Sequence, residues 1–394
     1  MAARTFHYAD DTVESSATVS GDQDKVTLTF TPEDVSAYYL VASAMITAKL
    51  TTVLGLGKLV DKSGPTDLAR YQNCGARATT DYMSMFDLAA ITYGVAPGSK
   101  SYAIDWGGDG THTKYIEEAR ILALKKGAND NDASDDTQST TTSSAYQDKL
   151  SLTFTPGTSG DYLILACTHY GHNSTTSEIQ IALDVDGAVY GAAQLRARVA
   201  TTAAAYAWGT VVKVTLSAAS HTVKVKFRSV DNATTANLQY TRIIALRLSD
   251  FENAYYAESR GDQNTTSSAA QTAASLTQEL QPVSHVAFAC ALRAVNGTGV
   301  QGFTKLTNAG GDMIAENSRA SETGSTTIVH PEPFVQMIKF TGSGVSDTFS
   351  IKYRNGDNAT RTDIYDAAIA ILQLDVPDHL PPNNWQQMMP LLAQ

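Results

Sequence analysis

The chain has 394 residues, of which 43% are hydrophobic and 18% charged, with a formal net charge of −11. That length suits two or three domains, and the acid excess lacks the basic footprint of a nucleic-acid binder. No run of 18 apolar residues is present, which argues against a membrane-spanning helix, and the three cysteines (Cys74, Cys167, Cys290) are too few and odd in number for a disulfide framework.

The N-terminus, MAARTFHYADD, carries no apolar run and reads as lacking a secretory signal. A polar stretch from Asp10 to Gly21 leads into QDKVTLTFTP, Gln23–Pro32. There Val26, Leu28 and Phe30 alternate with Thr27, Thr29 and Thr31, the period of two expected of a strand with one wet face. Thr on that outer face suits an extended backbone. An apolar run follows at Tyr39–Ala44, then YAIDW at Tyr102–Trp106, and a closing apolar strand at Ile121–Leu124.

These phrases return in the same order. QDKLSLTFTP spans Gln147–Pro156, and a diverged copy, SLTQELQPV, spans Ser275–Val283. Tyr162–Cys167 and His285–Cys290 follow them, aligning Ala44 with Cys167 and Cys290, which are read as small buried residues. VKVKF (Val223–Phe227) and FSIKY (Phe349–Tyr353) match YAIDW, so Trp106, Phe227 and Tyr353 share one seat. The turn phrase DNAT recurs at Asp231–Thr234 and Asp357–Thr360, and closing strands recur at Ile243–Leu246 and Ile369–Leu372.

A period of about 120 residues is that of whole domains and not of a solenoid. The expected units are residues 5–127, 128–252 and 253–377, with a tail at 378–394. Unit two reads most clearly, with about eight strands. They fall near residues 139–146, 147–155, 161–170, 178–185, 188–197, 206–217, 220–228 and 237–248, and Asp186-Gly187 forms a two-residue hairpin turn. No long segment of period 3.6 is present. The fold class is therefore all-β: three tandem jelly-roll-like sandwiches and a short irregular C-terminal tail. The junction Gly127–Ser144 and the polar openings of the other units read as linkers or as exposed edge strands.

Candidate sites are few. Asp130, Asp132, Ser134 and Asp136 alternate like the start of a calcium loop, but Asp135 and Thr141 stand where Gly and Glu belong. They are read as a solvated acidic junction. His169 and His172 are placed in a loop, CTHYGHNS, without a third ligand at metal-like spacing. Arg260-Gly261-Asp262, the turn Gly108-Asp109-Gly110 and the sequons at Asn173, Asn232, Asn264, Asn296 and Asn358 are common strings that imply no site. Asp184, Asp186, Asp231 and Asp357 are placed in turns and do not recur in all three copies. No nucleophile elbow or phosphate loop is present, so no catalytic residue, metal or cofactor is expected. The tail carries Trp385, Met388, Met389, Leu391 and Leu392, either folded back over unit three or docked as an arm on a neighbouring subunit.

The phrases Thr27–Pro32 and Leu152–Pro156, Tyr162–Ala166, Asp186-Gly187, Ser220-His221-Thr222, and Arg120–Leu124 or Arg242–Leu246 together resemble a β-sandwich module of tailed-bacteriophage structural proteins. The likeness covers most of unit two, less of unit one and parts of unit three, where Ala368 replaces the Arg. The resemblance implies a non-enzymatic, oligomeric virion component for decoration, cement, neck or fibre, assembled in the host cytoplasm and released by lysis. Its implied partners are other virion proteins, with neither nucleic acid nor membrane. The rival reading is a receptor- or carbohydrate-binding adhesin module of a tail fibre that takes a host surface glycan, with Tyr39, Tyr162, Tyr170, Tyr190 and Tyr206 as candidate platforms. A polysaccharide depolymerase would need a carboxylate cleft.

Overall fold

A computed structural model describes residues 4–18, 21–32, 35–47, 54–64, 66–74, 83–92, 98–107, 110–174, 177–195, 206–296, 301–320 and 332–374. The described chain is all strand apart from turns and one 3-10 turn at Leu248–Asp250.

Residues 6–125 hold β1 (Phe6–Asp11), β2 (Ser15–Ala17), β3 (Gln23–Phe30), β4 (Ala37–Thr47), β5 (Leu54–Asp61), β6 (Thr66–Cys74), β7 (Met83–Thr92), β8 (Lys100–Gly107) and β9 (Lys114–Lys125). Unit two holds β10 (Asn131–Asp135), β11 (Ser139–Thr141), β12 (Gln147–Phe154), β13 (Gly160–His172), β14 (Ile179–Val185), β15 (Ala188–Leu195), β16 (Tyr206–Leu216), β17 (His221–Ser229) and β18 (Ala236–Arg247). Unit three holds β19 (Ala254–Ser259), β20 (Gln263–Thr265), β21 (Gln271–Glu279), β22 (Ser284–Asn296), β23 (Gln301–Asn308), β24 (Gly311–Ala320), β25 (Glu332–Thr341), β26 (Ser346–Asn355) and β27 (Arg361–Gln373).

Each unit is two antiparallel sheets with one winding. In unit one the orders are β1-β9-β4-β7, with β2 also on β9, and β3-β8-β5-β6. Units two and three repeat both orders strand for strand. Apart from the hairpins β5-β6, β14-β15 and β23-β24, strands adjacent in space are distant in sequence, as in a long hairpin rolled into a jelly roll. Each sandwich has its own apolar centre, such as Leu28, Phe30, Tyr102 and Trp106 in unit one. Trp106, Phe227 and Tyr353 do share one seat, opposite Gln23, Gln147 and Gln271. Asp186 and Gly187 take φ of 51° and 89° between β14 and β15, the left-handed pair a tight hairpin requires.

The register corrects one alignment. Cys167 faces Arg242 and Cys290 faces Ala368, and the residue opposite Arg120 is Ser43, not Ala44. Tyr38, not Tyr39, therefore matches Tyr162 and His285. The Tyr-Tyr doublet offers two registers one residue apart, and in a strand that slip exchanges the faces.

The opening phrase contains a bulge. Register shifts between Asp24 and Val26, Asp148 and Leu150, and Thr272 and Ala274 leave Lys25, Lys149 and Ala273 extra and inward-facing. Lys25 pairs with Asp11 at 2.8 Å and Lys149 with Asp135 at 2.6 Å. In unit three the pair becomes neutral, with the Gln263 amide donating to Ser259 Oγ and to the Ala273 carbonyl. The DNAT phrase is a closed turn. The Asp231 and Asp357 carboxylates accept the N–H groups two and three residues on and the Thr234 and Thr360 hydroxyls. Asn232 and Asn358 sit at φ 58°, and their side chains accept the N–H of Ser144 and Ser268.

Candidate functional site

β4, β13 and β22 are buried on both faces, so the inner sheets do not end at solvent. One face of each points into its own sandwich. The other joins a fourth apolar cluster, built from Val41, Leu88 and Leu122 of unit one, Leu165, Val211 and Ile244 of unit two, and Phe288, Met337 and Ala370 of unit three. The three sandwiches share one interior, and that interface is the candidate site.

At its centre three equivalent edge-strand positions meet. Phe86, Gly209 and Val335 lie opposite Ser43, Cys167 and Cys290. A Cβ on Gly209 would stand 2.9 Å from Phe86 Cδ1 and 3.5 Å from Val335 Cγ2. The Phe86 ring thus occupies space its two counterparts leave free.

Around this approximate threefold axis the units lock cyclically. In each inner sheet a second bulge opposes two residues of the closing strand to one of the central strand. Glu118, Tyr240 and Asp366 hold φ of 54°, 51° and 46° there, a left-handed conformation that costs a non-glycine residue about 1–3 kcal/mol. Just beyond the bulge stand Met45, His169 and Leu292. Met45 enters the core of unit three, and Leu292 enters the core of unit two. Burying such a side chain stabilises by about 1.5–3 kcal/mol. His169 reaches unit one, where Nε2 hydrogen-bonds Asp87 Oδ1, both residues being fully buried.

The residues matching Asp87 are Thr210 and Gln336. Thr210 lines a small void with Leu292, and Gln336 donates to the Ala44 carbonyl at 3.2 Å. The three seams therefore use one geometry with three chemistries, and at these matched positions it is the seam between units one and two that buries an ionisable pair, His169 with Asp87. Arg242 Nη2 adds a bond to the Leu68 carbonyl across it, and the Ser43 hydroxyl accepts the Met337 N–H between units one and three.

Several expectations are corrected. His169 and His172 lie inside β13 and are fully buried, not in a loop, because the closing strand β18 pairs as far as His172. The acidic junction is not solvated throughout: part of it is strand β10, and its carboxylates are taken up by cations. Asp130 pairs with Arg4, Asp132 with Lys126, Asp135 with Lys149 and Asp136 with Arg242. Asp130 is 5% exposed, and burial raises its pKa against the opposing pull of Arg4. Asp184 lies on β14, buried and paired with Lys226, not in a turn.

Tyr39, Tyr162, Tyr170 and Tyr206 are buried, and Tyr190 is half-buried beneath Arg260 at 5.5 Å. They form no exposed platform. Arg260 is held by Glu258, and Asp262 pairs with Arg361 at 3.3 Å, so the Arg-Gly-Asp string is engaged internally. Cys167 and Cys290 are free and buried, and burial pushes both thiols up. Of Cys74 only the backbone, in β6, is described. The tail residues Trp385, Met388, Met389, Leu391 and Leu392 and the turn residues Gly108-Asp109 lie outside the described residues. Among the described residues no three His, Cys, Asp or Glu side chains converge as a metal site, and no helix is long and apolar enough to cross a membrane.

The sequence signal for His169 was the repeat itself: a histidine stands where two copies carry Met45 and Leu292. The one-residue slip hid it.

No family model matches the chain, and no curated protein does. Among solved structures, the chain is similar to a protein described with the triple jelly roll fold and turret assembly of an archaeal virus, at 12% identity and TM-score 0.22, covering 93% of this chain and 91% of that one. A structure from Sulfolobus turreted icosahedral virus gives 11% identity, coverage of 91% and 86%, and TM-score 0.20. Infectious bursal virus-derived T=1 particles give 7% identity, coverage of 100% and 85%, and TM-score 0.22. Likenesses at such scores carry no argument about function, and the architecture stands on the strand register described above.

Proposed function

We propose that the chain is a non-enzymatic virion structural protein that works through protein–protein contact, as a decoration, cement, neck or fibre component of a phage particle. The observation that carries this reading is the division of labour between the sheets. The inner sheets are consumed by the shared interior, while the outer sheets present one surface three times. Thr29 meets Ser101, Thr153 meets Thr222, and Thr277 meets Thr348, an exposed hydroxyl pair in the same seat of each unit. A block with three related faces is suited to touch several neighbours at once, and each added contact multiplies avidity. Assembly in a host cytoplasm and release by lysis complete the reading.

The test is native mass spectrometry and negative-stain imaging of the purified full chain over a concentration series, with a glycan array in parallel. Homo-oligomers or sheets without selective glycan signal support the structural role. A chain that stays monomeric at every concentration and selects one sugar would overturn it in favour of the adhesin reading.

A further inference from the structure

The three seams are closed by different side chains. Between units one and two, the Lys126 ammonium lies 5.7 Å from the Tyr39 ring centre and pairs with Asp132. Between units three and one, the Lys339 ammonium lies 5.7 Å and 5.6 Å from the Phe6 and Tyr8 rings. Between units two and three the Arg260 guanidinium lies 5.5 Å from the Tyr190 ring centre, and the seats used by the other two seams are filled differently. Lys213, in the seat of Lys339, turns to Asp161 at 3.2 Å. Leu163 stands two residues before Leu165 as Tyr39 does before Val41, and is the smaller group. What remains is a groove of about 490 Å³ lined by Leu248, Phe251, Tyr255 and Tyr256, with Asp161 and Lys213 on one side.

We propose that this groove receives the chain's own C-terminal segment, with the Trp385 indole as its anchor. The last described residue, Leu374, follows Gln373, whose side chain bonds Glu252 at 2.9 Å and Asn253 at 2.7 Å. Both partners belong to the groove wall. Trp385 lies 11 positions beyond Leu374, a reach of roughly 35 Å for extended chain, so the segment has ample length to turn back into a groove that begins beside its root. Pro377, Pro381, Pro382 and Pro390 oppose a helix in this segment and favour extended backbone. The groove volume falls in the range that takes a large aromatic group. Its mixed lining suits an indole, which has an apolar body and one N–H to satisfy. Met388 and Met389 follow, with side chains that adapt to irregular walls. The inference rests on the groove and the chain exit and is independent of the proposed virion role.

The experiment uses the full chain with p-benzoylphenylalanine in place of Trp385. After irradiation, peptide mapping is expected to find an intramolecular adduct on residues 248–256. An adduct joining two copies at those residues would show that the groove takes a neighbour's segment, and an adduct elsewhere, or none, would show another occupant; each overturns the assignment. Fluorescence gives a second readout. The other two tryptophans, Trp106 and Trp208, are 2% and 0% exposed, so iodide quenching reports on Trp385. Ser249→Arg, an exposed substitution at the groove, should raise quenching above wild type while leaving the circular dichroism unchanged. Quenching equal to wild type in that variant would sink the proposal.

Discussion

Replacing His169 by Leu tests the cyclic lock directly. The substitution puts into the seam between units one and two the residue that Leu292 supplies between units three and two. It also leaves Asp87 without its histidine in a site where both residues are fully buried and where Asp87 Oδ2 already has no partner. Removing one partner of a buried ionisable pair costs up to about 3–5 kcal/mol, because the group left behind has nothing to offset its desolvation. Exchanging both members for groups of suitable shape is often neutral or stabilising. The second substitution is therefore Asp87→Gln, the residue that Gln336 places at the equivalent position. Urea unfolding followed by far-UV circular dichroism should show His169→Leu destabilised by about 3–5 kcal/mol, with the double variant within about 1 kcal/mol of wild type. Strictly additive losses in the double variant, or a single variant as stable as wild type, would refute the lock.

Other outcomes follow from the same geometry. Gly209→Ala should destabilise by about 1–3 kcal/mol through overpacking, and Phe86→Leu should recover much of that loss in thermal melts; a Gly209→Ala protein melting like wild type would deny the axis contact. Asp231→Ala removes the four hydrogen bonds its carboxylate accepts at the DNAT turn of unit two, from the Ser229 hydroxyl, the Ala233 and Thr234 N–H groups and the Thr234 hydroxyl, and should cost about 1–2 kcal/mol, read as a lowered urea midpoint. Asp105 is held up to about 6 by burial, against the pull of Lys62, with Asp24 adding to the rise. A raised carboxyl stabilises the fold fully below its unfolded value of 3.8, and that contribution is lost as pH rises through about 6. Asp105→Asn should therefore flatten the stability profile between those two pH values, and a profile unchanged by the substitution would contradict the assignment.

Much of the architecture was legible because strand chemistry is local. Val26, Leu28 and Phe30 declare their face by alternation, and the Asp186-Gly187 hairpin declares its geometry through residues that tolerate positive φ. The shared interior was not legible in the same way. Tyr162–Cys167 is continuously apolar, the mark of a strand buried on both faces, yet nothing in one unit's sequence says what covers its second face. Strict alternation with Thr27 and Ser151 would turn Lys25 and Lys149 outward, but a bulge interrupts it one residue after Asp24 and Asp148. The acidic stretch at 130–136 looked solvated because its cations, Arg4, Lys126, Lys149 and Arg242, all lie outside it in the chain. Glu118, Tyr240 and Asp366 carry no signature of their strained backbone, since bulge position depends on the partner strand.

The meeting of Phe86, Gly209 and Val335 has a consequence for how such a body evolves. Three identical protomers would have to place the same side chain at all three positions: three phenylalanines would collide, and three glycines would leave a hole. Fusion into a single polypeptide frees each copy to drift separately, so one oversized ring can serve the whole centre. Having taken that path, the gene can no longer be cut back into one self-associating third without first redesigning its middle.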